Sequence, residues 1–150
     1  MNLAPLLDTY WFWLESGLPD EARMALQQEL DRLHAASWLQ SALRAGDVAP
    51  DFALPDSPGG AVHLHDLLRE GPVVLKFYRG RWCAFCTLEL RAYARSLPAF
   101  RASGAEVIAV SPQTDEEAAL HRERDRLPLH LLTDAHNDIA RRFGIVYRVS

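Results

Sequence analysis

Apolar positions in this chain recur at a helical period in some stretches and condense into short extended runs in others. Leu, Tyr, Trp and Phe crowd residues 3–15, until Gly17 and Pro19 interrupt them. Pro19-Asp20-Glu21 has the form of a helix start with acid in its first turn. Ala22, Met24, Leu26, Leu30, Leu33, Ala36, Leu39 and Leu43 then follow at close to helical spacing, which predicts a helix over 20–45. Ala45-Gly46-Asp47 ends this arm, and 48–58 reads as a linker punctuated by Pro50, Pro55 and Pro58. Phe52-Ala53-Leu54 and Ala61-Val62-His63-Leu64 predict a small hairpin, and Asp66, Leu67 and Leu68 a short helical turn. His63 and His65 alternate with Val62 and Leu64, which points both to solvent; a metal pair is the weaker reading.

Val73 to Tyr78 is apolar and β-branched or aromatic apart from Lys76, the pattern of a buried strand. Gly80 breaks it. From Cys83 the period becomes helical, with Cys86, Leu90, Tyr93, Leu97 and Phe100 on one face and Arg91 and Arg95 opposite. Pro98 is expected to bend this helix, and Ser103-Gly104 to end it. Glu106 to Val110 predicts a second buried strand, stopped by Ser111-Pro112. Thr114-Asp115-Glu116-Glu117 opens a capped helix reaching about Arg126, whose charge-dense stretch 121–126 reads as a solvated face with internal ion pairs. A short strand over Leu129–Leu132, a helix over Asp134–Phe143 closed by Gly144 and a final strand over Ile145–Val149 complete the pattern. Strands joined through helices imply parallel pairing with a right-handed crossover, hence an α/β fold.

Composition narrows the function. At 150 residues and 49% hydrophobic, the chain suffices for one packed core. A net charge of −4 without a basic stripe argues against a nucleic-acid surface. No run approaches the roughly 18 apolar residues of a membrane span. Met1 to Leu14 holds Asp8 and lacks a basic flank, so it does not read as a signal peptide. Tyr10, Trp11, Phe12, Trp13 and Trp38 load the arm with aromatics, which serve either to pack on the domain's own surface or to form a partner interface.

The chain holds two cysteines, Cys83 and Cys86, at the junction of strand and helix. A helix start presents unpaired N–H groups and the positive end of the dipole, which favour a thiolate. Arg79 and Arg81 add positive charge beside the pair. The C-x-x-C spacing lets one sulfur attack and the other resolve the product into an intramolecular disulfide. Two inert buried thiols are a duller reading. A zinc site would need two further ligands, and no second ligand cluster stands in the sequence. A purely structural bridge would close too short a loop to gain much entropy.

Residues 46–56 (Gly-Asp-Val-Ala-Pro-Asp-Phe-Ala-Leu-Pro-Asp) and 71–86 (Gly-Pro-Val-Val-Leu-Lys-Phe-Tyr-Arg-Gly-Arg-Trp-Cys-Ala-Phe-Cys) resemble the peroxiredoxin-like branch of the alkyl hydroperoxide reductase/thiol-specific antioxidant (AhpC/TSA) family. The resemblance runs from about Leu30 onward. It implies a thioredoxin-like α/β/α sandwich over 46–150, preceded by a helical arm over 1–45. In the ordinary peroxiredoxin pattern Arg79 stands at the Pro position, Cys83 at the Thr position, Cys86 at the peroxidatic position and Glu89 at the Glu. In the thioredoxin pattern Trp82, Cys83 and Cys86 match, and Cys83 is the nucleophile. The two registers give the same sulfurs opposite roles. The family continues with a C-terminal ββα portion that this sequence is expected to lack, leaving the strand 73–78 without a neighbour on one side. A second chain or the arm is expected to cover that edge.

The resemblance implies an antioxidant oxidoreductase that reduces peroxides through a redox-active Cys83–Cys86 disulfide. It needs no cofactor beyond an external dithiol reductant of thioredoxin or glutathione type. Arg79, Arg81, Trp82 and Glu89 are the expected supporting residues. A protein-disulfide reductase, a redox-responsive binding protein of low turnover and a structural oligomer with inert cysteines are the competing readings. A cytoplasmic homodimer, binding neither metal, nucleic acid nor membrane, is the accompanying expectation.

Overall fold

The computed structural model describes residues 3–35, 40–57 and 59–147. The elements in order are α1 (Ala4–Gly17), α2 (Asp20–Ala35), β1 (Ala53–Pro55), β2 (Ala61–His63), α3 (Leu64–Glu70), β3 (Val73–Phe77), α4 (Ala84–Ala102), β4 (Glu106–Ser111), α5 (Asp115–Asp125), β5 (His130–Thr133) and α6 (Asp138–Arg142). No described helix is long and apolar enough to cross a membrane.

β4 is the centre of the molecule. It pairs in parallel with β3 on one side, Leu75 opposite Ile108, and with β5 on the other, Val110 opposite Leu132. Because side chains alternate along a strand, Val107 and Ala109 face a core shared with Leu90 and Leu97 of α4 and Ala118 of α5. Ile108 and Val110 face a second core built from Phe52, Leu54, Leu64 and Ile139. Helices therefore cover both faces of the sheet, and the expected β1–β2 hairpin joins the second layer, Leu54 opposite Val62.

Several expectations change once the chain is packed. Val73–Phe77 is half-buried along its length, since among the described residues β3 pairs only with β4 and forms the sheet edge. Of the helix expected over 20–45, Asp20–Ala35 is helical, and residues 40–47 form turns instead. Ala36, Trp38 and Leu39 lie outside the described residues. The turns at 41–43 are held by the residues that close α6, where Leu43 N donates to Phe143 O at 3.2 Å. Gly144 makes the approach possible, because at its φ of 69° a Cβ would lie 1.9 Å from Ser41 O. Residues 145–147 are not a strand; Arg148 and Val149, like Pro58 of the linker, lie outside the described residues. α4 runs continuously through Pro98. Leu64 and His65 open α3, earlier than the expected turn at Asp66, and His63 and His65 are both exposed as expected.

The capping box on α5 forms as read, with Thr114 Oγ1 accepting from Glu117 N at 3.2 Å and Glu117 Oε2 accepting from Thr114 N at 3.2 Å. The charged stretch that follows is solvated only in part, at Glu123, Arg124 and Arg126. His121 is fully buried, and Arg122 reaches across the molecule to donate to Asp56 Oδ1 at 2.6 Å and Ser57 Oγ at 2.7 Å. Asp56, buried, also meets His130 Nδ1 at 2.6 Å and accepts from Leu131 N at 3.2 Å. Asp134 is a second buried carboxylate. It accepts from Asp138 N and Ala140 N, both at 2.9 Å, and caps an α6 that starts four residues later than expected.

Burial pushes the Asp56 carboxyl up, but His130 and Arg122 outweigh it and hold the group below its ordinary range. Its stabilising contribution is complete above the unfolded carboxyl pKa of about 3.9 and is lost as pH falls through the lower folded value. Asp56→Asn is expected to cost roughly 1.5–3 kcal/mol at neutral pH and to flatten the acid limb. Urea midpoints of both proteins from neutral pH down into the acid range check this; parallel acid limbs would refute it.

Candidate active site

The two cysteines lie beyond the carboxyl end of β3. Tyr78 N continues the sheet ladder by donating to Val110 O at 2.9 Å. Gly80, at φ 143°, then turns the chain so sharply that a Cβ there would lie 2.8 Å from Trp82 Nε1. Cys83 N closes the turn by donating to Gly80 O at 3.0 Å. Cys83 itself is extended (φ −87°, ψ 102°) and occupies the N-cap of α4.

An N-cap side chain normally offers an oxygen to the orphan N–H groups of the first turn. Here the acceptor is sulfur: Cys86 N donates to Cys83 Sγ at 3.3 Å, and Arg79 Nη2 donates to the same atom at 3.2 Å. Burial pushes the Cys83 thiol up, but the Cys86 thiol, the Cys86 N–H and the Arg79 guanidinium together hold it below its ordinary value. Cys86 moves the other way, because burial and the hydrogen bond to Cys83 both retain its proton. Of the two sulfurs, Cys83 is therefore the one that ionises first. Access divides the opposite way. Cys83 is 3% exposed, while Cys86 is half-buried and lines an open groove of about 640 Å³ with Arg79, Phe77, Val110 and Tyr147.

The other expected residues separate. Arg79 engages Cys83 and lies 4.9 Å from the centroid of the Trp82 ring. Trp82 is 71% exposed and lines both this groove and a smaller cavity beside it. The Arg81 side chain lines the smaller cavity, and its backbone N–H is held by Gln113 Oε1. Glu89 pairs with Lys76 Nζ at 2.7 Å, tying the second turn of α4 to β3. Among the described residues no group of three or more His, Cys, Asp or Glu side chains is placed to hold a metal.

Tertiary structure adds groups that the linear pattern did not mark. Tyr78 is buried, accepts from Gln113 Nε2 at 3.0 Å and has its phenol pushed up by burial. Behind Cys86, Thr87 Oγ1 lies 3.2 Å from His121 Nε2, and the Tyr78 and His121 rings are 5.8 Å apart. Loops after neighbouring parallel strands converge at one end of a sheet. The position of Gln113, just past Ser111-Pro112, carried that signal. The arm reaches the site too: Phe85, inside the C-x-x-C, meets the Tyr10 ring edge-on at 4.9 Å and that of Trp11 at 6.0 Å. These two aromatics pack on the domain's own surface, while Phe12 and Trp13 are 66% and 68% exposed.

A model of the AhpC/TSA family matches residues 45–149. Peroxiredoxin Bcp of Escherichia coli strain K12 is 29% identical over 103 residues, which cover 69% of this chain and 65% of that protein. The chloroplastic peroxiredoxin Q of Oryza sativa subsp. japonica is 34% identical over 130 residues, covering 85% and 57%. The chain therefore spans 57 to 65% of the length of these two curated relatives. The crystal structure of peroxidoxin BcpB from Mycobacterium tuberculosis superposes with a TM-score of 0.65 at 33% identity, covering 68% of this chain and 66% of that one. The layered sheet is the thioredoxin-like α/β fold that the resemblance implied.

Replacing Arg79 tests the electrostatics without touching either sulfur. In Arg79→Gln the Cys83 thiol should rise, and the rate of iodoacetamide alkylation at neutral pH should fall on the order of tenfold, as the loss of one charge-assisted bond dictates. An unchanged alkylation profile against pH would show that the guanidinium does not set the ionisation.

Proposed function

This chain belongs to the AhpC/TSA family, and from that premise we propose that it is a thiol-dependent antioxidant oxidoreductase reducing peroxides through the Cys83–Cys86 dithiol. The observation that carries the proposal is the convergence of two donors, Arg79 Nη2 and Cys86 N, on Cys83 Sγ. A thiolate so stabilised is a nucleophile at neutral pH. Attack by Cys83 on the terminal oxygen of a hydroperoxide breaks the O–O bond, leaves the sulfur as a sulfenic acid and releases the alkoxide, which takes up a proton as the alcohol. Cys86, still protonated, then condenses with the sulfenic acid, so that a disulfide forms and one water leaves. An external reductant, one thioredoxin-type dithiol or two glutathione-type thiols, supplies the two electrons and two protons that restore the pair and is itself oxidised to a disulfide. The dithiol is itself the redox group, and no cofactor enters these steps.

The supporting residues have distinct parts in this reading. Arg79 holds the thiolate and faces the groove where a peroxide oxygen would carry developing charge. Trp82 walls the groove, and Glu89, through Lys76, positions α4. Arg81 acts at the neighbouring cavity rather than at the sulfurs.

Access favours a second assignment. Cys86 faces the groove, and a proton passed from Cys86 to Cys83 would make it the attacking sulfur, as in the peroxiredoxin register. The same first step on a disulfide in place of a peroxide gives the protein-disulfide reductase reading, supported by Trp82-Cys83-x-x-Cys86 in the thioredoxin register. A low-turnover redox-responsive binding protein uses the same dithiol without sustained turnover. The half-free edge of β3 supports a homodimer, and a lone dithiol supports the reducing cytoplasm. The domain division proposed is an arm over 1–45 and a catalytic unit over 46–150.

Single-turnover reaction with peroxide tests the assignment. Cys86→Ser should still react and keep its sulfenic acid, whereas Cys83→Ser should lose at least about two orders of magnitude in rate, since it lacks the ionised sulfur. A reversal of these outcomes assigns attack to Cys86. Loss of peroxide reactivity in the wild-type dithiol, with insulin-disulfide reduction retained, would establish the reductase reading instead.

A further inference from the structure

A cavity of about 270 Å³ lies beside the dithiol groove, with Trp82 lining both. Its walls come from four parts of the chain: the turn before α4, the first two turns of α4, the last turn of α5, and Tyr10 of α1. Three arginines line it, Arg81, Arg91 and Arg124, against one acidic residue, Asp125. That carboxylate is already taken, since Arg91 Nη2 donates to Asp125 Oδ1 and the other oxygen lies 3.6 Å from His121 Nε2. Arg81 and Arg124 have no acidic partner among the described residues.

One unpaired surface arginine is ordinary; two on one recess, beside a third that is paired, are not in a chain of net charge −4. The convergence registers at His121, the fully buried residue behind Thr87. Burial lowers its pKa, and of the nearby charges Asp125 alone opposes this while Arg81, Arg91 and Arg124 all add to it. Like charges gathered this way raise the energy of the empty site, and an anion relieves it. Guanidinium forks match carboxylates in a bidentate manner. The aromatic faces of Trp82 and Tyr10 favour an organic ligand over a simple ion.

We propose that this cavity binds the carboxylate end of a small organic co-substrate, an acidic thiol or an acidic hydroperoxide, whose reacting end reaches past Trp82 to the dithiol. The proposal rests on the peroxide-reducing reading for the meaning of the ligand, though not for its binding. Arg81 and Arg124 are the recognising groups. Arg91 and Asp125 brace the wall, and Thr87 offers a hydroxyl beside them.

Calorimetric titration of the full chain with redox-inert probes separates binding from turnover. S-methylglutathione represents the thiol class and decanoate the hydroperoxide class. At least one should bind at low salt, weaken as salt is added and lose about tenfold in affinity in both Arg81→Gln and Arg124→Gln. Which probe binds identifies the class. Absence of binding by both, or affinity indifferent to both substitutions, overturns the proposal even where the dithiol proves active. Binding that behaves as stated upholds it even where peroxide turnover fails.

Discussion

The first turn of α4 takes its capping acceptor from the sulfur of Cys83, and the arrangement of the site follows from that bond. A serine or aspartate at this position would satisfy the backbone equally well, so capping by itself does not call for sulfur. What sulfur adds is an ionisable acceptor whose charge is favoured by the groups that need capping. Arg79 reinforces the same charge from the β3 side, and Cys86 donates to it from one turn along the helix. Cap, counter-charge and resolving thiol are therefore one network. Removal of any member changes the ionisation of the remainder.

That network is held in place by a sheet whose middle strand is buried from Val107 to Ser111 and whose outer strands are not equivalent. β4 contributes side chains to both cores, while β5 is fastened through Asp56, Arg122 and His130. β3, at the edge, is fastened by Lys76–Glu89 to the helix that carries the cysteines. The lysine that interrupts an otherwise apolar strand thus has a structural use. Its charge is accommodated because β3 is half-buried, and its partner lies on the second turn of α4, one helical turn beyond Cys86.

Charge is distributed unevenly around this frame. The molecule is acidic overall, yet the surroundings of the dithiol are cationic on both sides of Trp82, with Arg79 in the groove and Arg81, Arg91 and Arg124 in the cavity. Such a local field draws anions from solution without making the whole surface basic. Tyr10 closes one side of the cavity, which makes the N-terminal arm part of the wall beside the active turn.

The sequence by itself determined what is local. The period of Cys86, Leu90, Tyr93, Leu97 and Phe100 marked the buried face of α4, Thr114 and Glu117 specified their cap, and a C-x-x-C at a strand–helix junction marked the chemistry. These features depend on residues within a turn or two of one another, which is why they are legible in one dimension. Tertiary structure decided what depends on residues far apart in sequence. It buried His121 against Thr87, turned Arg122 inward onto Asp56, set turns at 40–47 where a helix was expected, and separated Arg79 from Arg81. It also set the two thiols apart, Cys83 below its ordinary pKa and Cys86 above, because Arg79 and the helix N-terminus meet at the Cys83 sulfur only after the chain has turned at Gly80.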